Sequence, residues 1–359
     1  MRFSIIRGFF VLFSVLVSTT ASGGLVDTAP QVVDLEFDGS DFAYDAARSL
    51  VYVSIPTRNE LAVVSTVSGE VVDRVFIGAR PLGITLSKDG NSVFAALNQA
   101  AAVGVYDTRT GSVSEIVVGD GLGNSLANDV AEPSPGRLFV SASPSSGGFA
   151  RIAQVDLGGD GAVTTVASNR IIRANPTFLE SPAGDVLYVG EAFSPNSLYA
   201  LDLTQETAPI ILEDDHGTVS GTTGQTSISP DGSRIFLNGG QVLRADSFLQ
   251  AGRTGPGLPA VSPDGQTVYA AESGVLIQAY STQTFLESGS VELPSTLDGS
   301  SFSFATKFGV FDIAGEQDGF ILLRGSELVI AVPEPTTAFA FAIGLAGCVS
   351  CRRRAGVLV

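Results

Sequence analysis

The stretch Ser262-Pro263-Asp264-Gly265-Gln266-Thr267-Val268-Tyr269-Ala270 decides the fold. Pro fixes φ, Asp hydrogen-bonds its own backbone and Gly accepts positive φ, so the first four residues make a tight turn. The Val-Tyr triplet that follows is β-prone and must be buried. One unit is therefore strand, turn, strand. The same wording returns in Ser229-Pro230-Asp231-Gly232-Ser233-Arg234-Ile235-Phe236-Leu237 and in Ser181-Pro182-Ala183-Gly184-Asp185-Val186-Leu187-Tyr188-Val189. Looser copies are Asp45 to Val53, Ser87 to Ala95 and Ser134 to Val140, with a degenerate seventh at Glu316 to Leu322. Their aromatic residues fall at 52, 94, 139, 188, 236, 269 and 320. Further strands follow, as in Val103 to Asp107 and Val113 to Val118. A repeat of about 40–45 residues with four strands is a β-propeller blade. The prediction is an all-β, seven-bladed propeller over residues 23–331.

The repeats resemble those of the YVTN family of seven-bladed propellers. Ile77-Gly78-Ala79-Arg80-Pro81, Ser262-Pro263-Asp264-Gly265 and Val268-Tyr269-Ala270-Ala271 carry the likeness. Some propellers of this type are lactonases or cyclising enzymes, which use a set of His, Arg and Glu converging on the channel.

An early segment has a displaced counterpart. Gln31-Val32-Val33-Asp34-Leu35-Glu36-Phe37-Asp38-Gly39 parallels Glu70-Val71-Val72-Asp73-Arg74-Val75-Phe76-Ile77-Gly78. The second copy reads as the outer strand of blade 1. The first has no strands before it, so it is expected to complete the last blade, beside Gly319–Leu323 and Glu327–Val332. That closes the ring and removes an open edge.

The two ends read as addresses. Met1-Arg2-Phe3-Ser4-Ile5-Ile6-Arg7, the apolar run Gly8 to Val17 and the small residues to Ser22 form an n-region, an h-region and a cleavage zone. Residues 1–22 are read as a signal peptide with a helical apolar part. Residues 332–359 hold Pro333-Glu334-Pro335, an apolar stretch from Thr336 to Cys351, and Arg352-Arg353-Arg354. A helix over that stretch is short for a ~30 Å hydrocarbon core, and the arginines hold the basic end inside. This order resembles the bacterial PEP-CTERM sorting signal. The resemblance implies processing by an exosortase-like membrane protease, transient anchoring by a transmembrane helix, and delivery to the envelope, outer surface or extracellular space. A plain tail anchor is the simpler alternative. Cys348 and Cys351 make a C-x-x-C pair inside this tail and read as small apolar residues rather than zinc ligands. The body between the signals has no cysteine.

Charge narrows the function. The chain has 37 acidic and 20 basic residues, a net charge of −17. Removing both ends takes away five arginines and one glutamate, so the body is more negative still. Such a surface repels nucleic acid.

Propeller ligands enter at the channel mouth, where loops lead into each inner strand, an argument from fold analogy. Here those entries are Arg80-Pro81-Leu82, Asn128-Asp129-Val130, Asn175-Pro176-Thr177, Gln225-Thr226-Ser227 and Leu258-Pro259-Ala260. Arg80, Asn128, Asp129, Asn175 and Gln225 are the candidate ligand residues, suited to sugar hydroxyls or a peptide backbone. The alternative is that they cap strands and satisfy turns. No catalytic set emerges. The single histidine, His216, lies in the acidic turn Glu213-Asp214-Asp215-His216-Gly217, and no G-x-S-x-G motif accompanies it. Carboxylate-pair chemistry stays open. Asp120-Gly121-Leu122-Gly123-Asn124 and Asp156-Leu157-Gly158-Gly159-Asp160-Gly161 leave calcium open as a cofactor, yet neither has EF-hand order and both read more simply as hairpin turns. No zinc spacing occurs. The expectation is a non-catalytic surface or matrix protein that needs no cofactor and binds an extracellular polysaccharide or surface protein. The alternative is a secreted lactonase or hydrolase.

Overall fold

A computed structural model describes residues 30–331, apart from 120–124, 145–147, 160, 168–171, 173–174, 192–196, 215–224, 273–275, 294–304 and 314–316. The signal peptide, the sorting tail, His216 and the Asp120–Asn124 turn lie outside the described residues.

Strand β1 is Gln31–Asp34. Blade 1 follows as β2 (Phe42–Asp45), β3 (Leu50–Ile55), β4 (Glu60–Ser65) and β5 (Glu70–Phe76). Blade 2 is β6 (Pro81–Leu86), β7 (Ser92–Leu97), β8 (Ala102–Asp107) and β9 (Val113–Val117). Blade 3 is β10 (Ser125–Ser134), β11 (Arg137–Pro144), β12 (Arg151–Asp156) and β13 (Val163–Ala167). Blade 4 is β14 (Thr177–Glu180), β15 (Val186–Gly190), β16 (Leu198–Asp202) and β17 (Ile210–Glu213). Blade 5 is β18 (Thr226–Ile228), β19 (Arg234–Leu237), β20 (Gln241–Arg244) and β21 (Gln250–Arg253). Blade 6 is β22 (Leu258–Val261), β23 (Thr267–Ala271), β24 (Leu276–Ser281) and β25 (Glu287–Glu292). Blade 7 has β26 (Ala305–Ile313), β27 (Gln317–Arg324) and β28 (Glu327–Ala331), and takes β1 as its fourth strand.

The early segment closes the ring as the sequence predicts. β1 pairs antiparallel with β28, Gln31 opposite Ile330 and Asp34 opposite Glu327. The chain then crosses to blade 1, with Leu35 N–H donating to Ser326 O (2.7 Å) and Gly39 N–H to Gly325 O (2.9 Å). A Cβ on Gly39 would meet Leu323 at 2.8 Å and Val53 at 2.9 Å, so the crossing needs glycine's bare backbone.

The Ser-x-x-Gly turns explain why the repeat words recur. Ser262 Oγ donates to Asp264 Oδ1 (2.6 Å) and accepts the Thr267 N–H (2.9 Å), while Gly265 N–H returns to Ser262 O (2.9 Å). Gly265 has φ +72°, which an L side chain adopts only at a cost. Ser229 and Ser87 repeat the pattern with Asp231 and Asp89. Hydrogen bonds from the Ser87 hydroxyl first, and then from the Asn91 N–H and side-chain amide, hold the Asp89 carboxyl down at about 2.

Each blade rests on the next through an apolar cluster, and the described residues form seven such clusters, one per blade interface. Tyr52, Phe94, Phe139, Tyr188, Phe236 and Tyr269 each face the following blade. The seventh aromatic differs. Phe320 faces backward onto Tyr269 of blade 6, ring centroids 4.9 Å apart, and Ile321 and Leu323 face blade 1 instead. Neighbouring strand positions point to opposite faces, so a one-residue offset in the aromatic reverses its side.

Antiparallel order gives the propeller two faces. First strands begin at the upper face, which surrounds one mouth of the channel. The turns between first and second strands, including Ser-Pro-Asp-Gly, lie on the lower face.

Candidate ligand site at the channel mouth

First strands entering from the upper face bring their starting residues together on the axis. Pairing is irregular there in three blades: between Pro81 and Ile84, between Ala127 and Asp129, and between Ala305 and Lys307. Bulges of this kind re-aim side chains. The result is a cavity of about 220 Å³ lined by Ser40, Asp41, Leu82, Gly83, Asn128, Asp129, Thr177, Phe178, Gln225, Thr226 and Lys307.

Lys307 is one of the chain's two lysines. Its Nζ lies 2.8 Å from Asp41 Oδ1, and 35% of its side chain stays open. Asp41 also accepts the Phe42 N–H on Oδ1 (2.8 Å) and the Ile84 N–H of blade 2 on Oδ2 (3.1 Å). Asp129 does the same two blades on. It accepts the Val130 N–H (2.9 Å) and the Phe178 N–H of blade 4 (2.8 Å). A serine accompanies each. Ser54 Oγ accepts from Asp41 N–H and donates to Leu82 O (2.7 Å), and Ser141 Oγ accepts from Asp129 N–H and donates to Pro176 O (2.8 Å). Each Asp–Ser pair thus ties its blade to the next.

Gln225 spans further. Its Nε2 donates to Pro259 O of blade 6 (2.9 Å) and to Phe308 O of blade 7, and its Oε1 accepts the Phe308 N–H (2.6 Å). Asn128 Nδ2 donates to Pro176 O (3.1 Å). A Cβ on Gly83 would sit 2.1 Å from Asp129 Oδ1, so this glycine makes room for the carboxylate.

Burial, together with the Asp41 charge, pushes the Asp129 carboxyl up to about 7, although Lys307 and two backbone N–H groups oppose the shift. Burial acts to lower Lys307, but the Asp41 and Asp129 carboxylates outweigh it and hold the ammonium above its usual value. The site therefore combines a fixed cation with a carboxyl that titrates near neutrality.

Of the five residues singled out from the sequence, Asn128, Asp129 and Gln225 line the cavity. Arg80 and Asn175 are exposed and absent from its lining. Both have positive φ, 55° and 56°. Arg80 N–H donates to Asn59 Oδ1 (2.8 Å) and Asn175 N–H to Ser143 Oγ (2.5 Å), so their backbones shape turns. Leu82 and Thr226 from the same entries do line the cavity, whereas Leu258 and Pro259 do not. Sequence reading missed Asp41 and Lys307. The scarcity of lysine in so acidic a chain is the signal that points to Lys307.

Asp156 of the second candidate calcium loop accepts the Gly158 and Gly159 N–H groups (3.0 and 3.1 Å), a hairpin-turn pattern. Among the described residues no group of three or more His, Cys, Asp or Glu is placed to hold a metal ion. Among the described residues no helix is long and apolar enough to cross a membrane.

Comparison with known proteins adds two findings. A PEP-CTERM protein-sorting motif matches residues 331–354. It marks the chain for export and for exosortase-type sorting to the cell surface or the extracellular side. Hydrazine synthase of Kuenenia stuttgartiensis is similar in structure, with a TM-score of 0.54 and 17% identity over 72% of this chain and 83% of that one. At that identity the likeness concerns the fold alone. Among curated proteins none matches.

Proposed function

We propose that this is a non-catalytic binding or scaffold protein of the YVTN type, carried to the cell surface or extracellular matrix by its sorting tail. It takes a small polar unit of an extracellular polymer, a sugar or a protein segment, at the upper channel mouth. The observation that carries this reading is the rigid cup: Asp41, Asp129, Asn128 and Gln225 are held by blade-to-blade hydrogen bonds around Lys307. A cavity of about 220 Å³ lies below the usual ligand-pocket range, which favours one sugar unit or side chain over a larger molecule. Lys307 gives one of its N–H donors to Asp41 and leaves others for a hydroxyl or carbonyl.

The test is a glycan array and a pull-down with extracellular polysaccharide, using the mature body and its variants. Lys307→Met is expected to abolish capture and Arg80→Ala to leave it intact. Capture that survives Lys307→Met would place the ligand elsewhere. No cofactor enters this reading, so capture is expected to persist in a chelator; loss there would favour calcium.

One observation favours a second reading. A carboxyl titrating near 7 beside another carboxylate is suited to general acid–base work. A secreted lactonase or hydrolase would use Asp129 in that way. A screen of lactones, esters and glycosides against wild type and Asp129→Asn separates the readings, since turnover lost in the variant would favour the enzyme.

A further inference from the structure

Both ends of the described chain leave the propeller on its lower face. As the third strand of blade 7, β28 runs from the upper face downward and ends at Ala331. Its neighbour β1 begins at Gln31, paired with Ile330 at the same end. The cavity around Lys307 opens at the opposite face, where first strands start.

The sorting motif begins at Ala331 itself, a fully buried strand residue. No spacer separates the folded blade from Pro333. From Ala331 to Thr336, where the apolar stretch begins, the chain reaches at most about 18 Å even when extended. Climbing back past β28 to the upper face would use about 17 Å, because its strand rises about 3.3 Å per residue. An inverted body would thus use nearly the whole of that reach on the climb, whereas a body with its lower face down uses none of it on passing β28.

We infer that, until its tail is cut, the protein stands with its lower face toward the membrane and blade 7 nearest to it, so that the channel mouth of Asp41 and Lys307 opens outward. The inference rests on insertion of the sorting tail and is independent of the ligand. It gives the two faces different partners in time. A ligand of the upper mouth has access to the tethered protein, whereas the lower face meets a partner only after the cut. The lower turns expose Asp89, Asp185, Asp231 and Asp264, which repel anionic headgroups. That face is held near the bilayer by the tether rather than by adhesion, and cutting the tail releases the body.

The cysteine-free body makes the test direct. In the full chain, Cys348→Ser and Cys351→Ser remove the native thiols. A single label site is then added in blade 1, either at the lower face (Ala47→Cys) or at the upper face (Thr57→Cys); both positions are exposed. Each labelled protein is reconstituted into phosphatidylcholine vesicles carrying a short-range headgroup quencher. Quenching is expected to be several-fold stronger for Ala47→Cys. Equal or reversed quenching would overturn the orientation, as would failure of the full chain to sediment with the vesicles. A Gly/Ser spacer longer than the blade, inserted after Ala331, is expected to erase the difference. If the difference persists, adhesion rather than the tether sets the orientation. Loss of ligand capture in Lys307→Met does not alter these readouts, so the two proposals fail separately.

Discussion

Asp129 holds the Val130 and Phe178 N–H groups, and its own N–H is held by Ser141, yet its carboxyl titrates near 7. The unfolded chain would titrate it near 3.9. Between those values the folded state binds more protons than the unfolded state, so this group's contribution to stability falls as pH rises from about 4 to about 7 and is level above that. Asp89 acts in another window. Its folded value of about 2 lies below the unfolded one, so its contribution is present above about 4 and is lost as pH falls toward 2. Urea unfolding from pH 4.5 to 8, a span set by those reference values, is expected to show a downward slope in wild type that flattens in Asp129→Asn. A variant with the wild-type slope would remove Asp129 as its source. Gly83→Ala addresses the same group sterically. Its Cβ would meet Asp129 Oδ1 at 2.1 Å, and the carboxylate's bond to Phe178 is expected to break, with a loss of about 1–3 kcal/mol.

At the scale of the element, the turn and the strand after it act as one piece. Ser262 is fully buried and satisfies both Asp264 and the Thr267 N–H. Ser262→Ala is expected to cost about 1–3 kcal/mol by denaturant titration, because two polar groups lose their partner. A cost near zero would mean that water replaces the hydroxyl. Such turns are local, which is why blades were legible in the sequence: Ser, Asp and Gly act within five residues of one another. Blade 7 was legible only in outline. Its aromatic, Phe320, lies on the opposite side of its strand from the other six, and repeat wording carries no sign of that reversal. The channel mouth was half legible for a related reason. Asn128, Asp129 and Gln225 stand at strand entries that the repeat marks. Asp41 and Lys307 meet across the closing seam between blades 1 and 7, and no spacing along the chain records that meeting.

The whole molecule depends on that seam. Six blade interfaces join segments adjacent in sequence, while the seventh joins the two ends of the body. Its cluster is as extensive as the others and includes Val33, Leu35, Leu328 and Ile330. β1 contributes no blade of its own, so what it adds comes from covering β28, filling this interface with Val33, and packing Val32 against the cluster between blades 6 and 7. Deleting residues 27–40 withdraws Val33 and Leu35 from burial, at about 1.5–3 kcal/mol each, together with the ladder between Gln31 and Asp34. It also bares the edge of β28, which can then pair with another chain. The deletion is therefore expected to lower the melting temperature sharply and to produce oligomers on size-exclusion chromatography, whereas the exposed Arg80→Ala leaves both unchanged. A deleted protein that melts like wild type would show that the first and last strands do not hold the ring together.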